Sequence, residues 1–254
     1  MLSDRDAVEL FHLHFVRLLS AGRDKARYVV KGGCNLRFFF GSIRSSQDLD
    51  LDVGDVPQHV VKERVDGILA AATLRETLAS VGLVAGSVTA PKQTPTTQRW
   101  KIELRITGRA VSQRTKIEIS RRGTGGGHKL EAVDARLLQR HQLMPVLACH
   151  YLLPAAIRQK VGALVGRKEV QARDVFDLAL LSAKTGDSRE SYADLASQVP
   201  AAVDRVWALS YPDYKGQVLA YLEPTQAEPL SSEEAWDAMQ LQVVTWLDGI
   251  AEAS

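Results

Sequence analysis

The sequence predicts a two-lobed α+β protein, with an N-terminal mixed sheet and flanking helices over residues 1–125 and a helical bundle over residues 126–254. Two observations carry this. Strictly alternating strand patterns are concentrated between Tyr28 and Ser120, and helical spacing dominates beyond the glycine-rich run Gly123–Gly127, which reads as a flexible hinge between the lobes. A length of 254 residues suits one large domain or two small ones, and 45% hydrophobic with 24% charged residues is ordinary globular composition.

Composition excludes several classes of protein. No stretch approaches the roughly 18 uncharged apolar residues of a membrane span, and the acids in MLSDRDAVEL do not fit a secretory signal, so a cytoplasmic protein with no membrane contact is expected. Cys34 and Cys149 are too few for a disulfide framework, and neither has the CxxC or CxxH spacing of a zinc site. Charge divides along the chain: residues 190–254 hold 2 bases and 11 acids (−9), leaving 30 bases and 19 acids (+11) in residues 1–189. A polyanionic partner fits the basic body, and simple solvation of two surfaces fits equally.

The elements follow in order. Ser3 and Asp6 make a capping-box-like start, after which Val8, Phe11, Phe15 and Leu18 fall on one face of a helix expected to end near Gly22. His12 and His14 flank Leu13 within it and point to opposite faces, which disfavours a metal site there. Tyr28, Val29 and Val30 then lead a short strand into Lys31, Gly32 and Gly33, a glycine turn.

From Gln47 to Val53 the alternation is strict, with Leu49, Leu51 and Val53 on one face and Asp48, Asp50 and Asp52 on the other. Same-face neighbours are about 6.6 Å apart, so the acids repel unless a cation sits between them. Oxygen ligands at this spacing suit Mg²⁺ or Mn²⁺, and paired carboxylates sharing such metals serve phosphoryl transfer. The other reading is an edge strand dressed in acids against aggregation.

A hairpin follows, Arg99–Ile106 alternating Trp100, Ile102, Leu104 and Ile106 against Lys101, Glu103 and Arg105, and Thr115–Ser120 alternating Ile117 and Ile119 against Lys116, Glu118 and Ser120, with Gly108 in the connection. Either Glu103 or Glu118 would supply a third carboxylate. Glu118 is preferred as an isolated acid between apolar neighbours, which makes Glu103 a charge partner on the sheet face. Residues 98–122 hold 8 bases against 2 acids, a rim suited to RNA backbone or to plain solvation.

In the second lobe Lys160 and Arg167 are seven residues apart and share a helical face, while Asp174 and Asp177 open the next helix, where the positive helix end favours acids. The two cations would either neutralise a triphosphate or pair with these acids to fasten the helices. Trp207, Trp236 and Trp246 are expected in the core.

Gly32-Gly33, Asp48-Leu49-Asp50-Leu51 and Ile117-Glu118-Ile119 together resemble the signature of the DNA polymerase β type nucleotidyltransferase superfamily. KGGCNLRFFFGSIRSSQDLDLDV, with Arg44, Ser46, Asp48 and Asp50 in an R-x-S-x-D-x-D arrangement, is similar to the AbiEii toxins of type IV toxin–antitoxin systems and the related MenT toxins. AIRQKVGALVGRKEVQARDVFDLALL resembles the same family's second block, and the resemblance spans about residues 1–185. It implies a polymerase β-like fold and a metal-dependent transfer of a nucleoside monophosphate from an NTP to an acceptor, the 3′ end of tRNA, that halts translation, with a cognate antitoxin as partner. On this resemblance Asp48, Asp50 and Glu118 hold Mg²⁺ or Mn²⁺, and Lys31, Gly32, Gly33, Arg44, Ser46, Lys160 and Arg167 bind the nucleotide. Lys160 and one of Asp174 and Asp177 are required for activity. Transfer to a protein or small molecule, and a catalytically silent RNA-binding module, are the alternatives.

Overall fold

The computed structural model describes residues 2–22, 25–186 and 189–253. It divides into two compact units, one running up to Gly41 and again from Ser45 to Tyr151, the other comprising Ser42–Arg44 and the chain from Leu152 onward.

The first unit is built on seven strands: β1 Tyr28–Lys31, β2 Asp48–Val53, β3 Leu83–Gln93, β4 Thr97–Ile106, β5 Ser112–Ser120, β6 His128–Ala132 and β7 Leu147–Tyr151. Their order in the sheet is β3-β4-β5-β2-β1-β7-β6. β2–β5 and β1–β7 are parallel and the other pairs antiparallel, which makes the sheet mixed. The helices of this unit are α1 Asp4–Leu19, α2 Gly32–Phe39, α3 Gln58–Ala70, α4 Ala72–Ser80 and α5 Ala135–Arg140.

Alternation does the sorting in this sheet. Leu49, Leu51, Val53, Trp100, Ile102, Leu104, Ile117 and Ile119 are buried on one face, in a core shared with α1, α3 and α4. Burial of this apolar area is the main stabilising term, at about 25 cal/mol per Å². α1 begins with the expected capping box, the Asp6 amide donating to Ser3 Oγ at 3.1 Å, and ends at Leu19, short of Gly22. It is buried all round from Ala7 to Val16, because β4 and β5 cover one side and α3 and α4 the other.

Two sequence-based expectations about organisation shift. Gly123–Gly127 connects β5 to β6 of the same sheet and is no hinge between units. The first unit extends to Tyr151 instead of residue 125, because β7 inserts beside β1 and carries β6 with it.

The second unit contains α6 Leu153–Gly166, α7 Ala172–Ser182, α8 Val199–Trp207, α9 Tyr211–Gln217, α10 Pro224–Ala227 and α11 Glu233–Glu252. Trp236 stacks on Tyr214 with centroids 4.6 Å apart, and Trp246 meets Tyr192 edge-on at 5.5 Å. The buried Gln240 amide donates to the carbonyls of Val206 and Leu209, tying α11 to α8. Trp207 departs from expectation and is half exposed, since it lies on the outer side of α8. Among the described residues no helix is long and apolar enough to cross a membrane.

Candidate active site

The acids of β2 sit on the face opposite the core. In the parallel ladder Asp48 lies across from Lys116 and Asp50 across from Glu118, while on the other side Lys31 of β1 lies across from Asp50. Cross-strand partners share a face. Asp48, Asp50 and Glu118 are thus brought together in the centre of the sheet.

Their charges are handled differently. Asp48 pairs with Lys116 at 3.0 Å and Glu118 with Arg99 Nε at 2.6 Å. Asp52, the third acid of the strand, is nearly buried, takes the Lys31 ammonium at 2.6 Å and accepts from the Tyr151 hydroxyl at 2.8 Å. Among the described residues no such cation pairs with Asp50: burial pushes its carboxyl above the usual carboxylate range, the neighbouring Asp48 adds to this, and Lys116 and Lys31 offset only part. Glu103 is further out on β4, across from Arg114, and accepts from Ser87 at 3.0 Å, whereas Glu118 lies directly across from Asp50.

A buried relay holds the entry to β2. The Thr115 hydroxyl donates to the Gln47 carbonyl at 2.7 Å, which leaves its oxygen to accept from His12 Nε2 at 2.7 Å. Burial keeps His12 neutral by lowering its pKa to about 3. With Nε2 protonated, His12 Nδ1 carries no proton and stands 3.6 Å from Cys34 Sγ, whose one proton goes to the Asp48 carbonyl. The Asp48 carbonyl accepts from Cys34 Sγ at 3.3 Å and from Ser46 Oγ at 2.9 Å. The Ser46 proton, expected to reach a phosphate, is engaged in this support of the strand. None of His12, Cys34 and Thr115 was singled out for the site by sequence; their signal is that they are polar positions in an apolar pattern.

Gly32 opens α2 with φ +63°, and a Cβ there would lie 3.1 Å from Asp50 Oδ2. The chain can only pass Asp50 so closely at a glycine. Gly33 follows in the first turn of α2, so the expected glycine turn is a strand-to-helix junction.

The second unit holds its own charged cluster. Asp177 is fully buried and accepts from Arg44 Nη2 at 2.9 Å and from Lys160 Nζ at 2.6 Å. Although burial pushes its carboxyl up, Lys160 and Arg44 hold it below the usual range. Asp174, also fully buried, pairs with Lys160 at 3.1 Å and with Arg167 at 2.8 Å. The fastening reading of Lys160 and Arg167 is therefore realised, and Arg44 joins the same cluster.

The family model of the nucleotidyl transferase AbiEii toxin, type IV toxin–antitoxin system, matches residues 15–251. The chain belongs to the AbiEii nucleotidyltransferase toxin family. Its fold is similar to that of JHP933 from Helicobacter pylori, with TM-score 0.66 and 20% identity over 99% of this chain and 94% of that one. It is also similar to MenT4, a nucleotidyltransferase toxin from Mycobacterium tuberculosis H37Rv, with TM-score 0.67 and 20% identity over 98% of this chain and 84% of that one. No curated protein sequence matches it.

Nucleotidyltransferases of this kind typically use a divalent metal and an NTP, and the sheet acids fit a hard cation. All three donors are carboxylates, and Asp50 is a partly buried acid among acids with no ion-pair partner. Their ligand oxygens do not converge within 4.8 Å, Asp48 and Glu118 being turned to their cations. A tighter group exists at Asp6, Glu9 and His141, all within 4.8 Å. It fits a cation poorly, because Arg140 pairs with Asp6, Arg37 pairs with Glu9 and His141 hydrogen-bonds the same carboxylate.

Proposed function

We propose that this toxin transfers a nucleoside monophosphate from an NTP to the 3′ end of an RNA, a tRNA as the family resemblance implies, in a reaction that requires Mg²⁺ or Mn²⁺. The observation that carries the reading is Asp50, held between Asp48 and Glu118 on the polar face of the sheet without a cation of its own. Asp48, Asp50 and Glu118 would hold the metal. Bound there, it supplies Lewis-acid polarisation of the phosphates and lowers the pKa of a coordinated hydroxyl.

The chain's own residues do the rest. The 3′ oxygen of the acceptor attacks the α-phosphorus, its proton leaves to a carboxylate or to water, and pyrophosphate departs. Glu118 would serve as a metal ligand or as the base that takes that proton, and its hydrogen bond from Arg99 supports a fixed orientation. Lys31 and Lys116 stand on the same face and offset negative charge as it moves onto pyrophosphate. Gly32 lets the α2 backbone approach, and the first amides of that helix favour an anion. The resemblance assigns Lys160 and Arg167 to the nucleotide's phosphates and Asp174 or Asp177 to hold Lys160; the ion pairs of Lys160 to both acids support the second assignment. A cognate antitoxin completes the reading.

Incubating the protein with Mg²⁺, total tRNA and each α-labelled NTP in turn tests this. Label on tRNA that disappears with Asp48→Ala is the expected result. Label on protein alone, or none on any acceptor, would overturn it.

A further inference from the structure

The polar face of the sheet carries more positive charge than its acids absorb. Of the eight bases between Gln98 and Arg122, Lys116 and Arg99 pair with Asp48 and Glu118, Arg109 pairs with Asp4, and Arg121 donates to the carbonyls of Pro95 and Val56. Lys101, Arg105 and Arg114 are exposed on the face that bears Asp48, Asp50 and Glu118; among the described residues no ion pair involves Lys101 or Arg114, and Arg105 interacts with Glu103 only through its charge.

Their placement is unfavourable for the protein alone. Lys101 stands directly across from Lys116, and like charges in that position destabilise a sheet unless an anion lies over them. Arg114 stands across from Glu103, whose carboxylate instead accepts from Ser87. Same-face side chains recur about every 6.7 Å along a strand and neighbouring strands lie about 4.8 Å apart. Lys101, Arg114 and Arg105 therefore form a strip that starts beside Lys116 and Asp48 and runs to the tip of the β4–β5 hairpin. Trp100, the one aromatic residue of β4, is buried on the opposite face, so the strip offers charge without a stacking platform.

We propose that this strip is the docking track for the acceptor, binding the sugar–phosphate backbone of single-stranded RNA just upstream of the 3′ end presented to the acids. The proposal rests on RNA being the acceptor. Binding through phosphates is indifferent to base sequence and strongly salt-dependent.

The test is fluorescence anisotropy of a labelled single-stranded RNA oligonucleotide with the full chain, without NTP, across a series of NaCl concentrations. Three variants are compared: K101Q/R114Q, Lys101→Glu, and Lys184→Glu as an exposed-charge control, each checked for native circular dichroism. The double variant should bind about tenfold more weakly, and its log–log salt slope should be shallower by about 1.4, at about 0.7 per lost single-strand phosphate contact. In transfer assays KM for RNA should rise while KM for NTP stays within about twofold, since these side chains do not touch the metal acids. Unchanged affinity and slope in both strip variants, or equal loss with Lys184→Glu, would overturn the track. Transfer that survives while strip variants bind normally keeps the activity and sinks the track; strip-dependent binding without any transfer does the reverse.

Discussion

Replacing Asp50 with asparagine should abolish transfer and stabilise the metal-free protein. Asp48 and Asp50 are same-face neighbours about 6.6 Å apart, a repulsion of about 2.5 kcal/mol at an effective dielectric of about 20 and about 0.6 kcal/mol in bulk water. Lys116 and Lys31 offset part of it. A net gain of about 1 kcal/mol on neutralising Asp50 raises Tm by about 2–4 °C for a chain of this size. Because burial and Asp48 raise the Asp50 pKa, the folded state keeps this proton to higher pH than the unfolded chain does. The stability it contributes is present below the ordinary value of 3.8 and lost as pH rises through the raised value. Calorimetry in EDTA should accordingly find wild type and Asp50→Asn equal in acid and the variant more stable near neutrality. Mg²⁺ at ten times its Kd should stabilise wild type by about 1.4 kcal/mol and leave the variant unmoved. Transfer should fall by about 10³-fold or more, equivalent to the several kcal/mol a metal supplies. A variant that melts lower in EDTA, or keeps the full Mg²⁺ response, would refute the reasoning.

Asp177→Ala leaves Arg44 and Lys160 buried without their shared carboxylate, so urea unfolding should show a loss of about 3–5 kcal/mol. Lys160→Met leaves Asp177 with Arg44 and Asp174 with Arg167; it should fold yet lose transfer, and full retained activity would reduce the lysine to a fastener. Thr115→Val strands His12 Nε2 and the Gln47 carbonyl at about 1–3 kcal/mol each, and an unchanged Tm would show the relay to be dispensable. Burial raises the Glu9 carboxyl, but hydrogen bonds from His141 and Arg37 outweigh it and bring the pKa to about 2. This group's stability is present above 4.5 and lost as pH falls toward about 2, so Glu9→Gln should flatten that part of an acid titration followed by circular dichroism.

What was legible in the sequence was whatever has a period. Strands β2, β4 and β5 alternate because one face is core and the other polar, and that alternation alone put Asp48, Asp50 and Glu118 on a common face. β7 is a short strand buried on both faces beside its parallel partner β1, so LACHY has no alternation to read. β3 is an exposed edge with register shifts against β4, which blur its pattern. The lobe boundary at residue 125 falls too early because β7, with no alternation to read, carries β6 into the sheet beyond it. Long-range pairing was equally hidden: Arg44 and Asp177 are 133 residues apart, and no local spacing links them.

The strand DLDLD shows why three like residues take three roles. Register sets Lys31 across from Asp50 and Val29 across from Asp52, yet the Lys31 ammonium reaches diagonally to Asp52, and β7 supplies the Tyr151 hydroxyl, so this acid is neutralised by contacts that the alternation itself does not reveal. Asp48 lies next to β5 at Lys116 and takes its charge. Asp50 is flanked by Glu118 on β5, while its β1 partner, Lys31, is drawn to Asp52. The remaining side is the α2 entry, where Gly32 at φ +63° has no side chain to offer and a Cβ would press on Oδ2 at 3.1 Å. An L-residue there would both strain the backbone and displace the carboxylate. The glycine expected to admit a phosphate therefore acts first on the acid, keeping open the side of Asp50 from which an external cation can approach.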